Sequence, residues 1–185
     1  MNTETKTLNG WNEFAEQTGK YSWYDYAKVG DIVDERTSKE DMNEVFKELG
    51  QINSTNGTYY VFGNHDTQPA STDYENGNRT FSDEELNKTI TGNGINILND
   101  EKTEINDHIV LVGRSDAEWE NSADRIDICQ ILNESDLSKY VVVLDHQPVE
   151  SEENSKQGAD LQISGHTHGG QMFPIGIFEQ LTGHL

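Results

Sequence analysis

The sequence is poor in positive charge. Its 13 lysines and arginines stand against 34 aspartates and glutamates, a formal net charge of −21 over 185 residues. That shortage argues against nonspecific nucleic-acid binding, which depends on Lys and Arg neutralising phosphates. It also disfavours docking on an anionic membrane surface. No apolar run approaches the ~20 residues of a membrane-spanning helix, and the first ten residues lack the apolar core of a signal peptide. These features read as a soluble, cytoplasmic chain. A single cysteine, Cys129, excludes an intramolecular disulfide. Placed in Ile128-Cys129-Gln130-Ile131-Leu132, it reads as a buried, inert thiol. Apolar residues make up 32% of the chain, a lean supply for a core. The length fits one domain, with residues 1–23 a poorly defined N-terminal segment and 24–185 the domain itself.

What is present alternates between strand and helix patterns. Residues 26–29 read as a short strand. Residues 38–49 read as a helix, with Ser38 as N-cap, Met42, Val45, Phe46 and Leu49 at helical spacing, and Gly50 to close it. Thr58-Tyr59-Tyr60-Val61-Phe62 is a β-rich run. Ser82 followed by Glu85 predicts a capping box and a second helix ending at Gly92. Strands are expected at 95–98, 102–105 and 108–113, with Asn99-Asp100 suggesting a hairpin between the first two. A third helix is expected at 123–132. Residues 140–144 form a continuous apolar strand, buried on both faces, and 161–164 a last one. The pattern predicts an α/β fold, with ligands gathered in the crevice at the carboxyl ends of strands.

Four fragments carry chemistry, each where a predicted strand gives way to a loop. They are Gly30-Asp31-Ile32-Val33-Asp34, Gly63-Asn64-His65-Asp66, Asp145-His146-Gln147-Pro148 and Ser164-Gly165-His166-Thr167-His168-Gly169. Two histidines two residues apart on a glycine-flanked turn can aim both rings at a common place. Together the fragments offer the mixed oxygen and imidazole ligands that Mn, Fe and Zn accept. Such a set does not suit a calcium module, which takes oxygen ligands.

In this order the fragments resemble the calcineurin-like metallophosphoesterase superfamily, whose pattern runs D-x-H, G-D-x-x-D, G-N-H-[D/E], a lone His and G-H-x-H. The resemblance extends from about Tyr24 to about Leu181. It implies a four-layer α/β/β/α sandwich and hydrolysis of phosphomonoesters or phosphodiesters by metal-activated hydroxide. It implies two divalent ions (Mn, Fe or Zn) and a phosphate-ester substrate. Asp31 would bridge the ions, Asn64, His146 and His166 would complete one site, and His168 would serve the other. His65 would be the catalytic acid or charge stabiliser, oriented by Asp66, while Asp34 would orient a ligand by hydrogen bonding. Arg114, after a predicted strand, is a candidate contact for substrate phosphate.

One element of the pattern has no counterpart. The first histidine is His65, so no D-x-H precedes Asp31, and the opening strand and helix are expected to be missing. The chain stops at His184-Leu185, where relatives continue. The expectation is an incomplete sandwich with one well-formed metal site. Two readings therefore stand: a working phosphoesterase, or a truncated relative that binds one ion or a phosphorylated ligand with little turnover. A full-length parent with a membrane anchor or export signal is compatible with both.

Overall fold

The computed structural model describes residues 27–67, 80–117 and 125–166. Two sheets organise them. The first is parallel, in the order β1 (Ala27–Val29), β2 (Thr58–Val61), β3 (Ile95–Ile97), with Val29 opposite Val61 and Thr58 opposite Ile95. The second runs β4 (Glu101–Ile105), β5 (Ile109–Gly113), β6 (Tyr140–Leu144), β7 (Leu161–Ile163). In it β4 pairs antiparallel with β5, and the remaining neighbours are parallel.

Strand periodicity divides the core into three. On β2, Tyr60 faces one way and Tyr59 and Val61 the other, as alternation along a strand requires. Tyr60 packs with Phe62, Ile95 and the apolar faces of α1 (Lys39–Gly50) and α3 (Asp83–Gly92), through Met42, Phe46, Leu86 and Ile90. Tyr59 and Val61 meet Leu111, Val142 and Leu144 between the sheets. The opposite faces of β5 and β6, Val110, Val112, Val141 and Val143, pack on Ile128, Ile131 and Leu132 around α4 (Ile128–Ile131). The result is the expected order of helix, sheet, sheet, helix.

The helix starts follow their caps. Ser38 accepts from the Asp41 N–H, and Ser82 forms the full reciprocal box with Glu85. Two short helices carry no apolar period and are not visible as patterns. One is α2 (Asn64–Thr67), inside a motif; the other is α5 (Ser151–Lys156), anchored by the buried Asn154 bonding Gln162 at 2.9 Å.

Three expectations change. Asn99-Asp100 is not a hairpin: β3 and β4 lie in different sheets, and the chain crosses between them here. Leu98 N–H still bonds Tyr60 O, extending the first sheet. Asp100, at φ 53°, then accepts from Ser115 and from the Ile126 N–H, which fixes the crossing. The hairpin joins β4 and β5 around Asn106, at φ 55°. The third helix is shorter than 123–132, because Asp127 caps it by accepting from Cys129 N–H; residues 123–124 lie outside the described residues. Cys129 is exposed rather than buried, since Ile128 and Ile131 hold the inward face. The expected loss of an opening strand and helix concerns residues outside those described.

Candidate metal centre

The parallel strands β1 and β2 of the first sheet end side by side, as do β6 and β7 of the second, and Val29 O at the end of β1 lies 2.7 Å from the ring of His146 after β6. Each delivers one motif to the same rim. The loops after β1 and β2 touch so closely that side chains are excluded. A Cβ on Gly30, which has φ 77°, would meet Gly63 N and His146 Nδ1 at 2.5 Å, and one on Gly63 would meet Asp31 Oδ1 at 2.2 Å. Glycine allows both the left-handed turn and the approach.

Asp66 ties these loops together. Its carboxylate is fully buried and accepts from Asp31 N–H at 2.8 Å, Gly63 N–H at 2.7 Å and Val33 N–H at 3.2 Å. Burial raises its pKa despite those three donors. Asp31, itself at φ 55°, is thereby held with its carboxylate facing the rim. One Asp31 oxygen accepts from His65 N–H at 3.0 Å and the other lies 3.0 Å from His146 Nε2. Burial opposes ionisation of Asp31, but His146 and the His65 N–H outweigh it and lower its pKa.

His146 follows β6 and is 1% exposed. Its Nδ1 lies 2.7 Å from Val29 O. A carbonyl only accepts, so Nδ1 carries a proton, and when the ring is neutral its lone pair is at Nε2. Nε2 is buried with no aligned hydrogen-bond partner among the described residues, and it faces a carboxylate. Two acceptors in contact call for a cation between them, a proton or a metal. Burial disfavours the proton, but Asp31 and Val29 O prevail and raise the His146 pKa.

His166, at φ 63°, completes the cluster. Its ring centroid lies 5.2 Å from that of His146, and its Nδ1 lies 3.0 Å from Asn64 Oδ1. Ligand atoms of Asp31, His146 and His166 all fall within 4.8 Å of one another. With Asn64 alongside, the set of one carboxylate, one amide oxygen and two imidazoles fits a divalent transition ion. The Nδ1–H···O=C bond of His146 is the outer support common to metal-ligating histidines. His168 lies outside the described residues.

Two other expectations are revised by geometry. The carboxylate at the ring of His65 is Glu35, with Oε2 3.0 Å from Nδ1. Asp66 serves the backbone of both loops instead. Glu35 raises the His65 pKa against the effect of burial, while its own backbone N–H and His65 lower that of Glu35. The His65 side chain is 45% exposed, open to the rim. Sequence reasoning missed Glu35, and the one signal was a further carboxylate directly after the Gly30–Asp34 motif. Arg114 is not an exposed phosphate contact. It is 1% exposed, and its guanidinium meets Asp100 at 2.9 Å, Glu150 at 2.8 Å and Ile126 O at 2.7 Å. Asp34 accepts from Arg36 N–H and Thr37 within its own turn.

The family model described as calcineurin-like phosphoesterase matches residues 13–170, starting earlier and ending sooner than the span of the motif resemblance. A metallophosphoesterase of Aquifex aeolicus, itself uncharacterised, is 32% identical over 80% of this chain and 52% of its own length. One of Helicobacter pylori is 33% identical over 83% of this chain and 38% of its own. A transmembrane protein with metallophosphoesterase domain from Danio rerio is 29% identical over 80% of this chain and 34% of its own. The chain thus spans about half or less of the length of these relatives. No solved structure gives a significant match. With that family model matching residues 13–170 of 185, the chain belongs to the calcineurin-like phosphoesterase family.

Proposed function

We propose that the chain is a metal-dependent phosphoesterase acting on phosphomonoesters or phosphodiesters. The observation that carries this is the convergence of acceptors from Asp31, His146 and His166 within 4.8 Å, with His146 fixed in the tautomer that points its lone pair inward. Asp31, Asn64, His146 and His166 would hold one divalent ion, and Asp31 with His168 would contribute to a second. A bound ion would supply Lewis acidity, lowering the pKa of its water toward about 7 and polarising the phosphoryl group. His65 would stabilise charge on the leaving oxygen or protonate it. Glu35 holds its Nδ1, which leaves Nε2 to face substrate. Glu35 raises the His65 pKa, which favours the protonated ring. Asp66 would keep Asp31 and the Gly63 turn in register rather than take part in proton transfer.

Among the described residues no helix is long and apolar enough to cross a membrane. The printed name of the Danio rerio relative is compatible with a membrane-anchored parent.

The test is hydrolysis of bis-p-nitrophenyl phosphate and p-nitrophenyl phosphate by the purified chain with Mn²⁺, beside His146→Ala. Mn²⁺-dependent turnover lost in the variant is expected. A folded chain that binds Mn²⁺ but turns over neither ester would favour a binding-only relative. Turnover indifferent to His146→Ala would overturn the assignment of the site.

A further inference from the structure

An ionic chain, buried except at the partly exposed Glu150, lies behind His146. Asp145 is fully buried, and its Oδ2 accepts from Arg125 NH2 at 2.8 Å. Arg125 NH2 also lies 3.5 Å from Glu150 Oε2, which accepts from Arg114 NH2 at 2.8 Å. Arg114 NH1 in turn meets Asp100 Oδ1 at 2.9 Å. The loop from Asp145 to Glu150 is thus gripped at both ends, and Gln147 adds a third tie to Asp116 at 3.0 Å. His146 sits inside the gripped segment.

Stability does not explain such a device. Removing charges from water costs several kcal/mol per ion, and buried pairs recover it only when every donor and acceptor is satisfied. Here Arg114 Nε, Arg125 Nε and NH1, and Asp145 Oδ1 are buried with no hydrogen-bond partner among the described residues. Apolar side chains would pack the same space at less cost. What the chain does achieve is directional: it fixes a loop whose second residue must set its ring between Val29 O, met by Nδ1, and Asp31, met by Nε2.

We propose that Arg125 and Glu150 are positioning residues for His146, holding the loop so that Nε2 meets Asp31 and His166. This rests on the metal-centre reading above and adds that metal affinity is set partly from residues that touch no ion. Neither arginine then acts on substrate.

The experiment measures Mn²⁺ affinity of the full chain by electron paramagnetic resonance, counting free Mn²⁺ in the parent, His146→Ala, Glu150→Gln, Arg125→Met and the milder Arg125→Lys. Glu150→Gln and Arg125→Met should weaken binding about 10-fold or more, the range known for outer supports of metal ligands. Arg125→Lys should recover part of that loss. In Glu150→Gln/His146→Ala the losses should fall short of additive, because both act through one ring. KM for bis-p-nitrophenyl phosphate at saturating Mn²⁺ should stay at the parent value. Affinity within twofold of the parent, or additive losses, would overturn the proposal. So would an unchanged affinity with a raised KM, which would place the arginines at the substrate. Val112→Ala, which truncates a buried side chain in the core beneath α4, controls for general destabilisation. An equal loss of affinity in that variant would also overturn it. If the parent binds Mn²⁺ and His146→Ala weakens it while Glu150→Gln does not, this inference alone fails. A parent that binds none overturns the metal-centre reading and this one with it.

Discussion

Among the carboxylates around His65, Asp66 and Glu35 divide between backbone and ring. Asp66, next in sequence, faces inward and gathers three N–H groups. Glu35, thirty residues away, meets the ring. Adjacency along the chain suggested Asp66 as the partner of His65, but consecutive side chains on a helical turn point in different directions. Contact was settled by the packing of two loops, which no single motif records. Glu35→Gln should therefore lower the His65 pKa. Where His65 acts as the acid, activity needs its protonated form, so the basic limb of the pH–kcat profile moves to lower pH, with kcat down about 10-fold. A limb that stays in place contradicts the pairing. The two glycines at the loop contact make a sharper case. Gly63→Ala forces a methyl into Asp31 Oδ1, so Mn²⁺ binding should be lost with a stability cost of about 1–3 kcal/mol, typical of overpacking. Calorimetric titration and urea unfolding measure both.

At the scale of elements, what was legible followed local rules. The capping box at Ser82 and the N-cap at Ser38 are short-range hydrogen bonds written in adjacent residues, and both formed as expected. Ser82→Ala should cost about 1 kcal/mol, read as a lower urea midpoint with unchanged slope. No change would mean that tertiary packing alone holds α3. What was not legible depended on partners. Asn99-Asp100 has turn chemistry, yet the turn passes the chain between sheets, because Leu98 completes the first sheet and Asp100 is bound by Ser115 and Ile126. The same network of long-range bonds buried Arg114, which by position after a strand read as a candidate phosphate contact.

Over the whole molecule, alternation on β2, β5 and β6 sorts side chains into three cores, so a lean apolar composition still covers both faces of each sheet. The α/β class and the gathering of sites at strand ends were readable from pattern. The sandwich required the strands to be assigned to two sheets, which periodicity does not do. A metal that binds the folded chain and not the unfolded one stabilises it by mass action. At Mn²⁺ about one hundred times Kd the gain should be about 2.7 kcal/mol, seen as a Tm that climbs with Mn²⁺ in the parent and stays flat in His146→Ala. The most direct check on the account is equilibrium dialysis of the metal-free chain against Mn²⁺ with elemental analysis, beside Asp31→Asn and His166→Ala. The account predicts at least one ion per chain, with binding severely weakened by either substitution. No bound ion, or binding that both variants retain, would contradict it.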